Sequence, residues 1–343
     1  MWKPHVEPCE PRLLFSTLCG LCSSGPRTLP EPSLVDGVFS IRGTDAADTI
    51  ELGSTRNLDT GGSCSSRTYI PDIGGTWQDV DQDPEPIAPQ LYIDIWFGAC
   101  GPHRYQVAMP SIQGVVIEGG AGADKISFSG ESEAGAIITM LGGAGNDTLL
   151  GGFANEVTLI GGAGRDTLSA ATTGSAYIEG GLERDTITGS RRKDVIIGGA
   201  GNDVVYAGAG NDTVYGAEGI DFLAGEDGGD VLLGGLGDDV LQGGLGGDHL
   251  LGEDGHDILQ GDGGDDLLDG GAGTDTLYGN DGNDLLIGGR GAGDSMRGGA
   301  GNDRFRSADV LGNHDSMWGE AGFDQLLSPA DADDLLIAGP QTR

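Results

Sequence analysis

The apolar and polar positions of residues 180–287 repeat every nine residues. Twelve consecutive nonapeptides fill this block without a gap, from GGLERDTIT to GNDGNDLLI, and position eight is always Ile, Val or Leu. Positions one, two and four are rich in glycine, and position six is always aspartate. Because each glycine would destabilise a helix by about 1 kcal/mol, the pattern favours tight turns that alternate with very short strands.

Each nonapeptide contributes a single inward apolar side chain, which is too little to stabilise one unit alone. Units of this kind must stack on copies of themselves to bury a continuous core. The pattern therefore predicts an all-β, right-handed parallel β-solenoid, in which two nonapeptides (eighteen residues) make one coil. Three-residue strands would form two parallel sheets, and the turns between them would form the two edges of the solenoid.

The repeated unit resembles the GGxGxDxUx nonapeptide of the RTX (repeats-in-toxin, hemolysin-type) calcium-binding family. In that family the units build a parallel β-roll, which holds calcium ions between successive coils. The resemblance implies that position-six aspartates supply carboxylates, while the glycines let backbone carbonyls point to the same place. Calcium takes about six to eight oxygen ligands, so multiple structural Ca²⁺ ions are the expected cofactor.

Successive coils of a parallel stack lie about 4.8 Å apart, so alternate units place their aspartates in two rows. The first predicted row holds Asp185, Asp203, Asp221, Asp239, Asp257 and Asp275. The second holds Asp194, Asp212, Asp230, Asp248, Asp266 and Asp284. Because six aspartates leave five gaps in each row, the resemblance implies about ten calcium ions within residues 180–287.

Looser copies of the unit precede the regular block. GGAGADKIS, GGAGNDTLL and GGAGRDTLS add Asp124, Asp147 and Asp166 to the first row of predicted ligands. The opposite turns are degenerate, and only Glu156 offers a carboxylate at position six. Calcium is therefore expected on one edge alone over residues 119–179.

Looser copies also follow the block. One extra residue precedes Asp294, and GGAGNDRFR restores the register at Asp303, so both aspartates are predicted ligands. Asp315 is placed on a longer loop, and Asp324 lies in a weaker copy, GEAGFDQLL. Neither is counted among the ligands.

The pattern divides the chain into five segments. VFSIR and DTIEL read as strands that lead into the roll, LYIDIWFGA alternates like a further strand, and RYQVAMPSIQGVVIEGG returns to the roll. The predicted segments are a disordered or targeting region at 1–35, a β-rich lead-in at 36–118 with an irregular insertion at 53–113, one-edge coils at 119–179, regular nonapeptides at 180–287, and irregular repeats with a cap at 288–343.

Charge narrows the range of partners and locations. The 343 residues carry 54 acidic and 18 basic side chains, a net charge of −36, which argues against nucleic acid and anionic membranes as partners. No stretch approaches the roughly 20 apolar residues of a membrane span. Since weak calcium modules with dissociation constants of about 10⁻⁴–10⁻³ M work outside cells, an extracellular or cell-surface location is expected. The N-terminal sequence does not define an export route.

Chemistry beyond calcium has little support, and no catalytic residue is nominated. None of the five histidines belongs to an HExxH motif, and Ser132 in GESEA lacks the last glycine of a GxSxG elbow. The loop Asp79–Glu85 has D-x-D-x-D spacing, but Pro84 stands where an EF-hand needs glycine. Cys64 and Cys100 bracket the insertion and could pair in an exported protein.

Two other function classes stay open. One is calcium-dependent adhesion or binding of extracellular glycans, through the insertion at 53–113 or one sheet face. The other is a polysaccharide-acting enzyme on a β-solenoid, although the outward strand positions of the regular block present few charged side chains. Tyr206, Tyr215 and Tyr278 at position nine could stack on sugars, but scattered exposed tyrosines are the ordinary explanation.

The first prediction is that the roll is largely unfolded without calcium. Carboxylates about 4.8 Å apart repel by roughly 1 kcal/mol in water and about 3.5 kcal/mol at an effective dielectric of 20. Summed over two rows, this repulsion reaches or exceeds a typical domain stability of about 5–15 kcal/mol. Circular dichroism at neutral pH in excess chelator should therefore lack a β spectrum, and a native-like spectrum would refute the prediction.

Overall fold

The computed structural model describes residues 114–128, 137–152, 156–170, 174–291, 293–307 and 315–327, together with strands at 33–35, 38–42, 48–55, 90–97, 102–108 and 335–337. These residues form β-strands and turns only, without a helix. Across the described ranges, no helix is long and apolar enough to cross a membrane.

The first five strands precede the regular coils. They are β1 (Ser33–Val35), β2 (Val38–Arg42), β3 (Asp48–Thr55), β4 (Gln90–Phe97) and β5 (Pro102–Ala108). β1 pairs antiparallel with β2, and β3, β4 and β5 form an antiparallel set. The predicted strands VFSIR, DTIEL and LYIDIWF are confirmed. RYQVA, however, pairs with β4 at the sheet edge, and the chain returns to the roll only after it.

Sheet 1 collects one strand from each coil on one face of the roll. Its remaining strands are β6 (Gly114–Ala121), β8 (Ile137–Ala144), β10 (Glu156–Ala163), β12 (Ser175–Leu182), β14 (Val195–Ala200), β16 (Thr213–Glu218), β18 (Val231–Leu236), β20 (His249–Asp254), β22 (Leu267–Asp269), β23 (Ala272–Gly273), β25 (Leu285–Ile287), β26 (Arg290–Gly291), β28 (Arg304–Arg306) and β30 (Gln325–Leu326). The order along the sheet follows the chain from β1 and β2 through β6 to β30.

Sheet 2 forms the opposite face. Besides β3, β4 and β5 it contains β7 (Lys125–Phe128), β9 (Thr148–Leu150), β11 (Thr167–Ser169), β13 (Thr186–Thr188), β15 (Val204–Ala209), β17 (Phe222–Asp227), β19 (Val240–Leu245), β21 (Ile258–Gly263), β24 (Thr276–Asp281), β27 (Ser295–Ala300), β29 (Ser316–Ala321) and β31 (Leu335–Ile337). From β7 onward every pairing in this sheet is parallel.

The register advances by eighteen residues at each coil of the regular block. In sheet 1, Val195 pairs with Thr213, and Thr213 pairs with Val231. The predicted all-β parallel solenoid of eighteen-residue coils is therefore confirmed. The structure has about ten such coils.

Most strands of the block are longer than predicted. β14 covers positions seven to nine of one nonapeptide and positions one to three of the next. The paired backbones continue through the glycines, as between Gly199 and Ala217. The three-residue strand prediction was wrong because glycine without a side chain still pairs its backbone with the neighbouring coil.

The core is a double column of position-eight side chains. Val205, Leu223 and Leu241 from sheet 2 are fully buried, and so are Leu232 and Leu250 from sheet 1. Each unit also buries its position-six aspartate, so the expectation of one buried side chain per unit was wrong. The roll therefore encloses an aliphatic column between two columns of carboxylates.

The second prediction concerns this aliphatic column. Leu241→Ala should lower the free energy of unfolding of the calcium-loaded protein by about 2–5 kcal/mol, because the thin core cannot collapse around the cavity. Gln242→Ala, at the adjacent outward position, is the matched control and should change it by less than about 1 kcal/mol. Denaturant titration measures both variants, and equal losses would contradict the assigned core.

Candidate metal centre

Two rows of aspartates run along the edges of the roll, held by a repeated hydrogen bond. The backbone N–H of each aspartate donates to Oδ1 of the aspartate one coil further on, as from Asp221 to Asp239 at 2.7 Å and from Asp239 to Asp257 at 2.8 Å. The same bond joins every successive pair of regular-block aspartates within a row. The carboxylates therefore fix the register between coils through Oδ1.

Among the described residues, the first row contains eleven aspartates. They are Asp124, Asp147, Asp166, Asp185, Asp203, Asp221, Asp239, Asp257, Asp275, Asp294 and Asp315. The prediction that Asp124, Asp147 and Asp166 extend this row is confirmed by their hydrogen bonds.

In the part of the chain that the structure describes, the second row contains eight aspartates. They are Asp194, Asp212, Asp230, Asp248, Asp266, Asp284, Asp303 and Asp324. The division of the twelve regular aspartates between two rows matches the predicted one. That any of these residues ligates calcium stays a prediction.

The sequence analysis left two members of the rows, Asp315 and Asp324, out of the predicted ligands. Each lies twenty-one residues beyond its predecessor instead of eighteen, so counting by nines does not reach it. The local sequence did contain a signal for Asp315. In DSMW, which begins at Asp315, the buried Met317 follows the aspartate by two residues, just as the buried position-eight residue follows the position-six aspartate in the regular unit.

The second row begins only at Asp194. The equivalent positions of earlier coils hold Val115, Ile138, Val157 and Ala176, which pair in register and are buried. Glu156, expected at position six, lies one residue before Val157 and is exposed, so that assignment was wrong. Early coils thus fill the second edge with aliphatic side chains, where later coils bury carboxylates.

The second carboxylate oxygen of the buried aspartates, Oδ2, is the atom of the site that most needs a positively charged partner. Within the described part of the chain, Oδ2 accepts no hydrogen bond in eleven of the twelve regular-block aspartates: Asp185, Asp203, Asp212, Asp221, Asp230, Asp239, Asp248, Asp257, Asp266, Asp275 and Asp284. Each of these residues is at most 3% exposed. A buried anionic oxygen without a donor costs several kcal/mol unless a proton or a cation neutralises it.

Asp194 is an instructive exception. Ser190 replaces glycine at position two, and its backbone N–H donates to Asp194 Oδ2 at 2.5 Å. The Ser190 hydroxyl also donates to Asp194 Oδ1 at 2.9 Å. The protein can therefore supply donors to a row carboxylate, but it supplies none to Oδ2 of the other eleven regular-block aspartates.

The position-one glycines keep a small oxygen-lined space open beside Oδ2. A Cβ added at Gly234 would lie 2.5 Å from Asp239 Oδ2 and 2.8 Å from the Gly252 carbonyl oxygen. At Gly180 the same point lies 2.5 Å from both Asp185 Oδ2 and the Gly198 carbonyl oxygen. A carboxylate oxygen and a carbonyl oxygen of the next coil thus share a cradle, which any larger residue would fill.

Burial raises the pKa values of the row carboxyls toward neutrality. The pKa of Asp239 rises to about 7, chiefly by desolvation and further by the Asp221 and Asp257 carboxylates, although the Asp221 N–H lowers it. Desolvation likewise raises the pKa to about 7 for Asp185, Asp212 and Asp266, and to about 6 for Asp147, Asp221, Asp230, Asp257, Asp284 and Asp303. Near pH 7 the rows therefore attract any available positive charge.

The donor set fits a hard cation such as Ca²⁺. The rows and cradles offer only carboxylate and carbonyl oxygens, which calcium and magnesium prefer, whereas zinc favours nitrogen and sulfur ligands. Among the described residues, no three His, Cys, Asp or Glu side chains converge on one point. An ion held here would thus take several ligands from backbone carbonyls, which suits the flexible coordination of calcium.

Other candidate residues take structural or surface places. His249 is exposed on sheet 1, and His256 Nδ1 accepts a hydrogen bond from Thr274 N–H at 2.8 Å. Tyr215 lies on sheet 1 while Tyr206 and Tyr278 lie on sheet 2, so the three tyrosines form no common stripe. Ser132, the loop Asp79–Glu85, and Cys64 and Cys100 lie outside the described residues.

Comparison with known families agrees with this geometry. The family model of the RTX calcium-binding nonapeptide repeat (4 copies) matches residues 139–168, 158–172, 188–223, 224–259, 260–293 and 278–309. The matched residues include the coils in which both edges carry aspartates. No curated protein matches the chain.

The third prediction is that acid stabilises the metal-free roll. Because the folded pKa values of about 6–7 exceed the ordinary value of 3.8, the folded state binds more protons between pH 7 and pH 4. Stability in chelator should be greatest near pH 4 and be lost as the pH rises through 7. Circular dichroism in chelator should show more β-structure at pH 5 than at pH 8.

The calcium-loaded protein supplies the control for this prediction. There, acidification should lower the affinity for calcium, because protons compete for the same oxygens. A metal-free protein whose β-structure only decreases from pH 8 to pH 5 would contradict the assigned burial of the carboxylates.

Proposed function

The chain carries RTX calcium-binding nonapeptide repeats between residues 139 and 309, and we propose that its β-roll folds around structural Ca²⁺ ions held along both aspartate rows. The observation that carries the proposal is the set of eleven buried Oδ2 atoms without a hydrogen-bond donor in the regular block. The position-one glycine cradles beside them support the proposal, since they add carbonyl oxygens at the same place.

The two oxygens of each row carboxylate would have different tasks. Oδ1 accepts the N–H of the preceding coil and aligns the stack, as Asp239 does for Asp221. Oδ2 and the position-one carbonyl would hold the ion, and a bound calcium ion would supply the positive charge that the buried carboxylates lack. The predicted ligands include all seventeen aspartates named from the sequence, and we add Asp315 and Asp324 because they share the same rows.

The charges of the central coils support this proposal. Residues 198–289 contain 20 aspartates and glutamates and not one lysine or arginine. About ten calcium ions, one for each gap between aspartates of the regular block, would offset about twenty negative charges. Protein cations cannot provide this compensation within these coils, so the charge must come from solution.

An exported protein is the context that suits this design. RTX repeats are typical of secreted proteins, and calcium outside cells is abundant enough to load weak sites. We therefore place the protein outside the cell or at its surface. The adhesion and polysaccharide-enzyme alternatives depend chiefly on residues outside the described ranges, and no described residue favours either.

The test of this proposal, and the fourth prediction, is a count of bound calcium at neutral pH. Equilibrium dialysis of the full chain should give ten or more ions at saturation, and circular dichroism should show the β spectrum appearing over the same calcium range. A folded metal-free chain that binds only two or three ions would overturn the proposal.

A matched pair of variants localises the ions. Asp239→Asn removes one row charge and should lower the count by one or two ions, or weaken calcium binding by about tenfold or more. Asp238→Asn removes the same charge from the adjacent exposed residue, whose Oδ1 accepts only the His256 N–H. This control should bind calcium as the unmodified protein does, and equal effects of both variants would argue against the rows as ligands.

A further inference from the structure

The outer face of sheet 1 carries an apolar stripe at position nine, formed by Ile197, Tyr215, Leu233, Leu251 and Ile287 and interrupted by Asp269. Positions seven and nine of each coil point outward, and they hold Val195 and Ile197 on β14, Val231 and Leu233 on β18, and Leu285 and Ile287 on β25, all partly exposed. On sheet 2, position nine of the central coils is more polar, and Gln242 there donates a side-chain hydrogen bond to Gln260. Position seven of sheet 2 is apolar in Val204, Phe222, Val240 and Ile258, so it is the position-nine stripe that distinguishes sheet 1.

Opposite charges lie at the two ends of this stripe. Glu179 lies on β12, and Arg304 and Arg306 lie on β28, which is the eighth sheet strand counted from β12 along this face. None of these three side chains makes an ion pair with another described residue. The face therefore has Glu179 at one end, two arginines at the other, and a centre that is mainly apolar but includes His249 and Asp269.

We propose that this face binds a second copy of the chain, with the two solenoid axes antiparallel. The twofold axis would run parallel to the strands and pass between β18 and β20. β12 of one copy then faces β28 of the other, which places Glu179 opposite the partner's Arg306. Tyr177, exposed beside Glu179, faces the partner's Arg304, a pairing suited to a cation–π contact.

The same axis matches the remaining strands along the face. β14 faces β25, so Ile197 packs against the partner's Ile287, and β18 faces β20, so Leu233 packs against the partner's Leu251. β16 faces β22, which sets the Tyr215 hydroxyl opposite the partner's Asp269 carboxylate. Such self-complementarity is what a twofold interface requires, because one surface must fit a rotated copy of itself.

Other arrangements of two copies are electrostatically worse. A shift by one coil would place Glu179 against Ile287, which buries an unpaired charge. A twofold axis along the solenoid would set the two β28 strands against each other, with Arg304 and Arg306 facing their own copies. Charge therefore selects the antiparallel arrangement.

The contact is expected to be weak and dependent on calcium. The stripe is roughly 34 Å long and about 10 Å wide, so each copy buries much less than the roughly 800 Å² of a standard interface. The inference rests on the proposed function, because two chains with a net charge of −36 approach each other only when bound ions offset their charge.

Analytical ultracentrifugation of the calcium-loaded full chain tests the proposal, at about 20–500 μM, the range for a weak dimer. The unmodified protein should form dimers, and Leu233→Asp should weaken dimerisation at least tenfold. Gln242→Asp is the matched control, since it adds the same charge at position nine of the neighbouring unit on sheet 2, and it should dimerise normally. A folded chain that stays monomeric throughout would overturn the dimer.

A charge reversal tests the orientation of the two copies independently. Arg304→Glu with Arg306→Glu should weaken dimerisation about tenfold, and adding Glu179→Arg to this double variant should restore it to within about threefold. No restoration would overturn the antiparallel arrangement. Circular dichroism and bound calcium, measured on the same samples, separate the two claims: a monomer with full β-structure and calcium rejects only the dimer, whereas failure to fold with calcium rejects the proposed function.

Discussion

The burial of stacked carboxylates is the constraint on which this structure depends. Each regular coil places one aspartate on either edge, within about one strand spacing of the next aspartate in its row, and withdraws both from water. Desolvation and mutual repulsion raise their pKa values toward neutrality. The aliphatic column between the rows is only one side chain thick per sheet. The stability of the fold therefore depends on protons or cations that neutralise these carboxylates.

Within this constraint, each residue of the nonapeptide has a definable task. The aspartate aligns neighbouring coils through Oδ1 and leaves Oδ2 for an ion, while the position-one glycine keeps the adjacent cradle open. The early coils build one edge differently. The positions equivalent to the second row hold the uncharged, buried residues Val115, Ile138, Val157 and Ala176. Replacing buried ions by packed apolar side chains is often neutral or stabilising, so these coils should need fewer ions than the regular block.

Much of this architecture could be predicted because a strict period fixes the register. The two rows, the position-eight core and the parallel sheets all follow from counting by nines. Counting fails where loops change length, so Asp315 and Asp324 were left out of the predicted ligands and Glu156 was assigned in place of Val157. The six-residue strands were missed because glycine propensity describes an isolated chain, whereas pairing with a neighbouring coil keeps the glycine backbone extended.

Locating calcium by anomalous X-ray scattering, in crystals grown with the ion, tests the central claim most directly. The account predicts anomalous peaks in the gaps between successive aspartates of both rows, about 2.3–2.6 Å from Oδ2 and from backbone carbonyl oxygens. On the second edge the peaks should begin only where Asp194 begins the row. A folded roll whose row gaps hold no ions at saturating calcium would contradict the account, since protons and not calcium would then neutralise the buried carboxylates.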